Sequence, residues 1–224
     1  MIQITDAWEM AYPNAHLGVL AMRNVINPPH HAGLETQKAA LEAQLRERFA
    51  GQEKAALIQH PVLQAYEAYY KRFKKTYHVQ LQLESILFKG KSIPSVAALV
   101  EAMFMAEVEN LLLTAGHDLD ALQLPLTLDV TPGDESYALL RGVDQASKAG
   151  DMLIRDGAGI ISSVLYGPDA RTQITAQTKN VIFTVYAPAG IDESVTGQHL
   201  RDIQKNVLLV APRAQTELLE VFGG

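Results

Sequence analysis

The apolar residues change their spacing partway along this chain, and that change limits the fold more than any other feature. Val96, Leu99, Val100, Met103, Val108, Leu111 and Leu112 recur at the spacing of a helix. From Leu124 onward, Leu124, Leu126, Leu128 and Val130 alternate with Pro125, Thr127 and Asp129, which is the period of a half-buried strand. Helices first and clustered strands later predict an α+β fold rather than a doubly wound parallel sheet. No repeat, low-complexity tract or long Pro-Gly-Ser linker divides the 224 residues.

Local signals predict the elements. Residues 1–8 and 15–25 read as short strands around a Tyr12-Pro13-Asn14 turn. Asn27-Pro28-Pro29 and Gly33 break the chain before a helix from Leu34 to Phe49, with Leu34, Leu41, Leu45 and Phe49 as its apolar stripe. Pro61 suits the first turn of a second helix that runs to about Lys74 and packs through Val62, Tyr66, Tyr69, Tyr70 and Phe73. A third helix is predicted from Ser92 and Pro94 to Leu113, stopped by Gly116. Strands are expected at 124–130, 137–142, 151–155, 160–166, 172–175 and 181–186, with Gly167-Pro168-Asp169 as the sharpest turn. A last helix covers about 193–209.

Composition excludes several chemistries. Cysteine is absent, which removes disulfides, thiolate metal sites and cysteine nucleophiles. Lys plus Arg number 19 against 25 Asp plus Glu, for a net charge of -6, so a generally basic nucleic-acid binder is not expected. The charge is uneven. Lys71, Arg72, Lys74, Lys75, Lys89 and Lys91 face a single Glu84 between residues 71 and 91, a local +5 that leaves -11 for the rest. This segment reads either as a solvated helix end leading into a strand or loop, or as a face for RNA phosphates. The first twenty residues lack a basic leader, and acids interrupt the most apolar window, 96–115. A cytoplasmic protein without a membrane span is expected.

No phosphate loop, dinucleotide fingerprint or nucleophile elbow is present, and the seven histidines show no paired metal spacing. No cofactor or metal is expected. Two polar constellations remain. His117-Asp118 follows the predicted helix stop, where a loop would hold functional groups; Asp118 also suits a plain cap. Tyr166-Gly167-Pro168-Asp169-Ala170-Arg171-Thr172 gathers a hydroxyl, a carboxylate and a guanidinium around one turn. Arg171 there would bind an anion or pair with Asp169.

The order of these segments resembles a known family. Ile93-Pro94-Ser95-Val96-Ala97-Ala98-Leu99-Val100-Glu101, the helix after it, and Gly116-His117-Asp118-Leu119-Asp120-Ala121-Leu122 resemble the central stretch of the B3/B4 domain of the bacterial phenylalanyl-tRNA synthetase beta subunit. Residues 150–156, 161–167 and 178–183 resemble three later segments of that domain in the same order. The resemblance covers about residues 60–210. It implies a three-layer β/β/α domain at 56–224, with residues 1–55 as a largely helical N-terminal arm packed on it.

In the synthetase this domain carries an editing pocket that hydrolyses tyrosine wrongly attached to the phenylalanine tRNA. Matched by position, Ala115 stands where the family has its pocket histidine, Phe104 where it has an asparagine and Thr184 where it has a glutamate. Pro168 replaces a second glycine and leaves Gly167. The resemblance therefore implies a pocket near Phe104, Ser163, Tyr166, Gly167, Arg171 and Thr184, with His117 and Asp118 as the candidates to assist a positioned water. Lys71, Arg72, Lys74, Lys75, Lys89 and Lys91 would face RNA. The implied partner is tRNA or an aminoacyl-tRNA-like ligand. The implied activity is aminoacyl-tRNA ester hydrolysis. The alternatives are a non-catalytic RNA- or small-ligand-binding module, or an unrelated metabolic enzyme on the same scaffold.

Overall fold

The computed structural model describes residues 2–223. In chain order the elements are β1 (Ile2–Ile4), α1 (Asp6–Ala11), β2 (His16–Arg23), α2 (Ala32–Arg48), α3 (Lys54–Leu57), α4 (Pro61–Lys71), α5 (His78–Lys89) and α6 (Ala98–Asn110). Then come β3 (Thr114–Asp118), β4 (Leu126–Val130), β5 (Ser136–Ala138), β6 (Asp144–Ala146), β7 (Met152–Asp156), β8 (Gly159–Ser163), β9 (Gly167–Pro168), β10 (Asn180–Ala187), α7 (Glu193–Val210) and β11 (Gln215–Gly223).

Two sheets form, ordered β1-β4-β7-β8-β9 and β11-β2-β10-β3, and β5-β6 is a separate hairpin. Strand β10 shows how they stack. Its Tyr186 hydroxyl hydrogen-bonds Ser162 on β8, in the other sheet. Helix α7 lies on the four-stranded sheet at Gly18, where a Cβ would come within 2.6 Å of the Thr196 methyl and 3.3 Å of Leu200. The result is the β/β/α layering that the resemblance implies. Tyr66 ties α4 into it by donating to the Tyr186 carbonyl at 2.5 Å and accepting from the Leu113 N–H at 2.9 Å. Residues 2–55 supply α1, α2 and the first residues of α3, and also two strands. β1 pairs in parallel with β4, and β2 lies between β10 and β11.

Several elements differ from the local reading. Residues 6–8, expected within a strand, instead begin a helix that runs to Ala11, because the Thr5 hydroxyl accepts from the Trp8 N–H and Asp6 and Glu9 occupy the first turn. The charged segment contains helix α5 where a strand or loop was expected. Val79, Leu83 and Ile86, buried at helical spacing, hold it on the core. Helix α6 begins at Ala98 and ends at Asn110, with Leu111 in the left-handed region (φ 64°) as its cap. Gly116 therefore stops no helix and lies inside β3. Gly167-Pro168 pairs with Ser162-Ser163 as β9 instead of turning. Residues 172–175 form no strand; the Thr172 N–H is held by the Asp169 carboxylate at 3.1 Å. β11 was not foreseen. Among the described residues no helix is long and apolar enough to cross a membrane.

Candidate functional site

Strand β3 is an edge of the four-stranded sheet, and beside it opens a cavity of about 480 Å3. Helix α6 turns Val100, Met103, Phe104 and Glu107 toward it, spaced as one helix face. Ala115 and Gly116 of β3, Gly167 and Pro168 of β9, and Ile174 complete much of the wall. The missing side chain at Gly116 keeps this space open, since a Cβ there would lie 2.8 Å from the Ile174 Cδ1.

Glu107 is the chemical centre of the cavity. Its carboxyl is almost fully buried, and Oε1 accepts the Thr114 N–H at 2.8 Å. Burial pushes its pKa up to about 8, against the opposing pull of that hydrogen bond. At neutral pH the cavity wall thus presents a mostly protonated acid that a nearby cation would ionise. Behind it, the Thr114 hydroxyl lies 2.7 Å from Nε2 of His199, whose Nδ1 faces the Asn110 amide at 3.3 Å. Burial lowers His199 to about 3, against the opposing pull of a hydrogen bond to the Ala106 carbonyl, so the imidazole is neutral. His78, also in the wall, is lowered by burial. Its Nδ1 stands 3.2 Å from the Tyr70 hydroxyl, which itself donates to the Val164 carbonyl.

A family model for the B3/4 domain matches residues 63–223. The chain belongs to the B3/4 domain family. A crystal structure of an N-terminal fragment of the phenylalanyl-tRNA synthetase beta subunit from Pyrococcus horikoshii is similar in fold, with a TM-score of 0.50 at 11% identity. The likeness covers 100% of this chain and 54% of that fragment, so the chain spans about half its length. Comparison with curated proteins gives no match.

The B3/4 fold separates the residues singled out in the sequence. Phe104, Gly167 and Ala115 line the cavity. Tyr166 lines a neighbouring cleft. Ser163 is buried, with its hydroxyl 3.2 Å from that of Tyr137, and Thr184 is buried in β10. Arg171 is committed to Asp156 through bonds of 2.8 and 3.0 Å; its contact with Asp169 is longer, at 3.6 Å. His117 lies on β3 rather than in a loop, and it does not line the cavity. It is fully buried, with Nδ1 2.7 Å from the Thr172 hydroxyl and Nε2 without a partner among the described residues. Burial lowers its pKa to about 3. Asp118 accepts from the Thr178 hydroxyl at 2.7 Å and the Asp120 N–H at 3.0 Å, capping a short 3-10 turn.

The basic residues divide into two groups. Lys71, Arg72, Lys74 and Lys75 lie where α4 passes into α5, whereas Lys89 and Lys91 lie at the other end of α5. Twelve helical residues separate the groups by roughly 18 Å. Arg72 stacks 5.1 Å over the Tyr12 ring. Sequence reasoning missed Glu107 as a site residue. Its signal was an acid three residues after Phe104, on the apolar face that Val100 and Met103 define.

Proposed function

We propose that this protein binds an aminoacyl group, carried as an ester on tRNA or an RNA like it, and releases it by hydrolysis. The cavity beside β3 carries the reading. Its volume of about 480 Å3 suits one small ligand. Met103, Phe104, Leu113 and Ile174 would receive an apolar side chain, and Glu107 would pair with the α-ammonium group. Family membership and the fold likeness to a phenylalanyl-tRNA synthetase fragment support an RNA-borne ligand.

The chemistry is modest. Water attacks the ester carbonyl carbon, the bond to the ribose oxygen breaks, and that oxygen takes the proton. An ester of this kind is activated, so holding it in place beside water supplies much of the rate. The test is a deacylation screen over all aminoacyl-tRNAs, cognate and mischarged. Accelerated release from one class, reduced in Glu107→Gln, is the expected result. Wild-type protein without activity on any member refutes hydrolysis. The placement of His117 and Asp118 outside the cavity favours a second reading, binding without hydrolysis, which retention of an intact aminoacyl-tRNA would establish.

A further inference from the structure

A second cleft, of about 410 Å3, adjoins the aminoacyl cavity. Leu140 and Pro168 line both, so they form the ridge between them. Beyond the ridge Leu139 and Leu165 form an apolar floor, and Lys75, Arg141, Gln145 and Tyr166 supply the polar and cationic groups. The Lys75 ammonium sits 4.4 Å from the centroid of the Tyr166 ring, which holds it over the cleft.

The two cations share their lack of an ion pair with several other basic side chains, Lys71, Lys74, Lys89 and Lys91 among them, and differ from those in lining one cleft together. Arg23, Arg46, Arg155 and Arg171 each hold a carboxylate. Among the described residues, the side chains of Lys75 and Arg141 make no ion pair or hydrogen bond. Lys75 does lower the buried Asp151 electrostatically, but that carboxylate is occupied by the Tyr69 hydroxyl and the Leu165 N–H. Two unpaired cations therefore share one concavity in a protein whose net charge is -6.

We propose that this cleft is a phosphate subsite for the nucleotide that carries the aminoacyl group. The inference rests on the reading of the neighbouring cavity given above. In an aminoacyl ester the acyl group hangs from one side of a ribose and the 5′-phosphate from the other. With the acyl group beside Glu107, the ribose crosses the Leu140–Pro168 ridge and the phosphate meets Lys75 and Arg141. Arg141 offers a fork of N–H donors that matches phosphate oxygens, and Lys75 a mobile point charge. Lys89 and Lys91, at the far end of α5, take no part. The subsite makes a nucleotide-borne aminoacyl group the ligand and a free amino acid a poor one.

The probes are adenosine and adenosine 5′-monophosphate, each with and without a hydrolysis-resistant 3′-aminoacyl amide. Each is titrated against wild type and a Lys75→Gln/Arg141→Gln variant. Both residues are exposed, so unchanged thermal unfolding should confirm that the variant folds. The 5′-phosphate is expected to tighten wild-type binding at least about tenfold, the scale of one charge-assisted contact. This gain should vanish in the variant, while the affinity for the aminoacylated nucleoside stays the same. A phosphate that adds nothing in wild type, or a gain that persists in the variant, overturns the subsite. An acyl group that adds nothing to either probe overturns the cavity reading instead, and the comparison of adenosine with its monophosphate still decides the subsite.

Discussion

Replacing Glu107 by Gln keeps the shape of the side chain and the acceptor for the Thr114 N–H, and removes only the ability to ionise. The consequence follows from linkage. The carboxyl titrates at about 8 in the folded protein against 4.5 when unperturbed. Below pH 4.5 both states hold the proton, and the group has no differential effect. Between the two values the unfolded chain releases the proton while the folded chain keeps it, so stability falls as pH rises. The slope is about 1.4 kcal/mol per pH unit and the whole window is worth roughly 5 kcal/mol. Glutamine has no such slope. Urea unfolding at pH 5, 6.5 and 8, at constant ionic strength, should show wild type and variant nearly equal at pH 5. By pH 8 the variant should be the more stable by several kcal/mol. A difference between the two proteins that does not change with pH would refute the placement of an uncompensated acid in the cavity wall.

Three further substitutions probe the site and its frame. Gly116→Ala should cost about 1–3 kcal/mol, because the new methyl presses Ile174 into the cavity. It should also weaken binding of the aminoacyl amide, read by calorimetry. Phe104→Ala should widen the same wall and shift the deacylation profile toward larger apolar amino acids; an unchanged profile would remove Phe104 from the specificity wall. Asp156→Ala should destabilise by about 3 kcal/mol, since it strands Arg171 and two N–H groups, those of Gln123 and Ala158. Burial works to raise Asp156, but Arg171 and these N–H groups outweigh it and its pKa is lowered. Its stabilising share is therefore present above the unfolded carboxyl value near 3.9 and lost as acid protonates it, a loss that chemical unfolding of the Ala variant should not show.

Much of the fold is local and was legible. Helices α2 and α7 and strands β4, β7 and β10 follow from periodicity, apolar runs and turn residues: β4 alternates, while β7 and β10 are apolar runs buried on both faces. The order of the motifs carried the B3/B4 resemblance, which the match over 63–223 bears out. Within the site, Phe104 and Gly167 were legible through that resemblance. Glu107 was not. A charge on an apolar helix face gains meaning only when a neighbouring element leaves a cavity in front of it, and that depends on β3, β9 and the missing side chain at Gly116.

The sequence by itself therefore determined the fold class, the family and those helices and strands whose own periodicity marks them, since these rest on hydrophobic period and segment order. Tertiary structure alone decided that β11 returns to pair with β2, and that His117 is walled in while Glu107 faces open space. It also split the six clustered cations across the length of one helix, leaving Lys75 to line one cleft with Arg141, from a hairpin sixty-six positions away. Pairing across such distances depends on how the whole chain packs, and no local pattern of side chains encodes it.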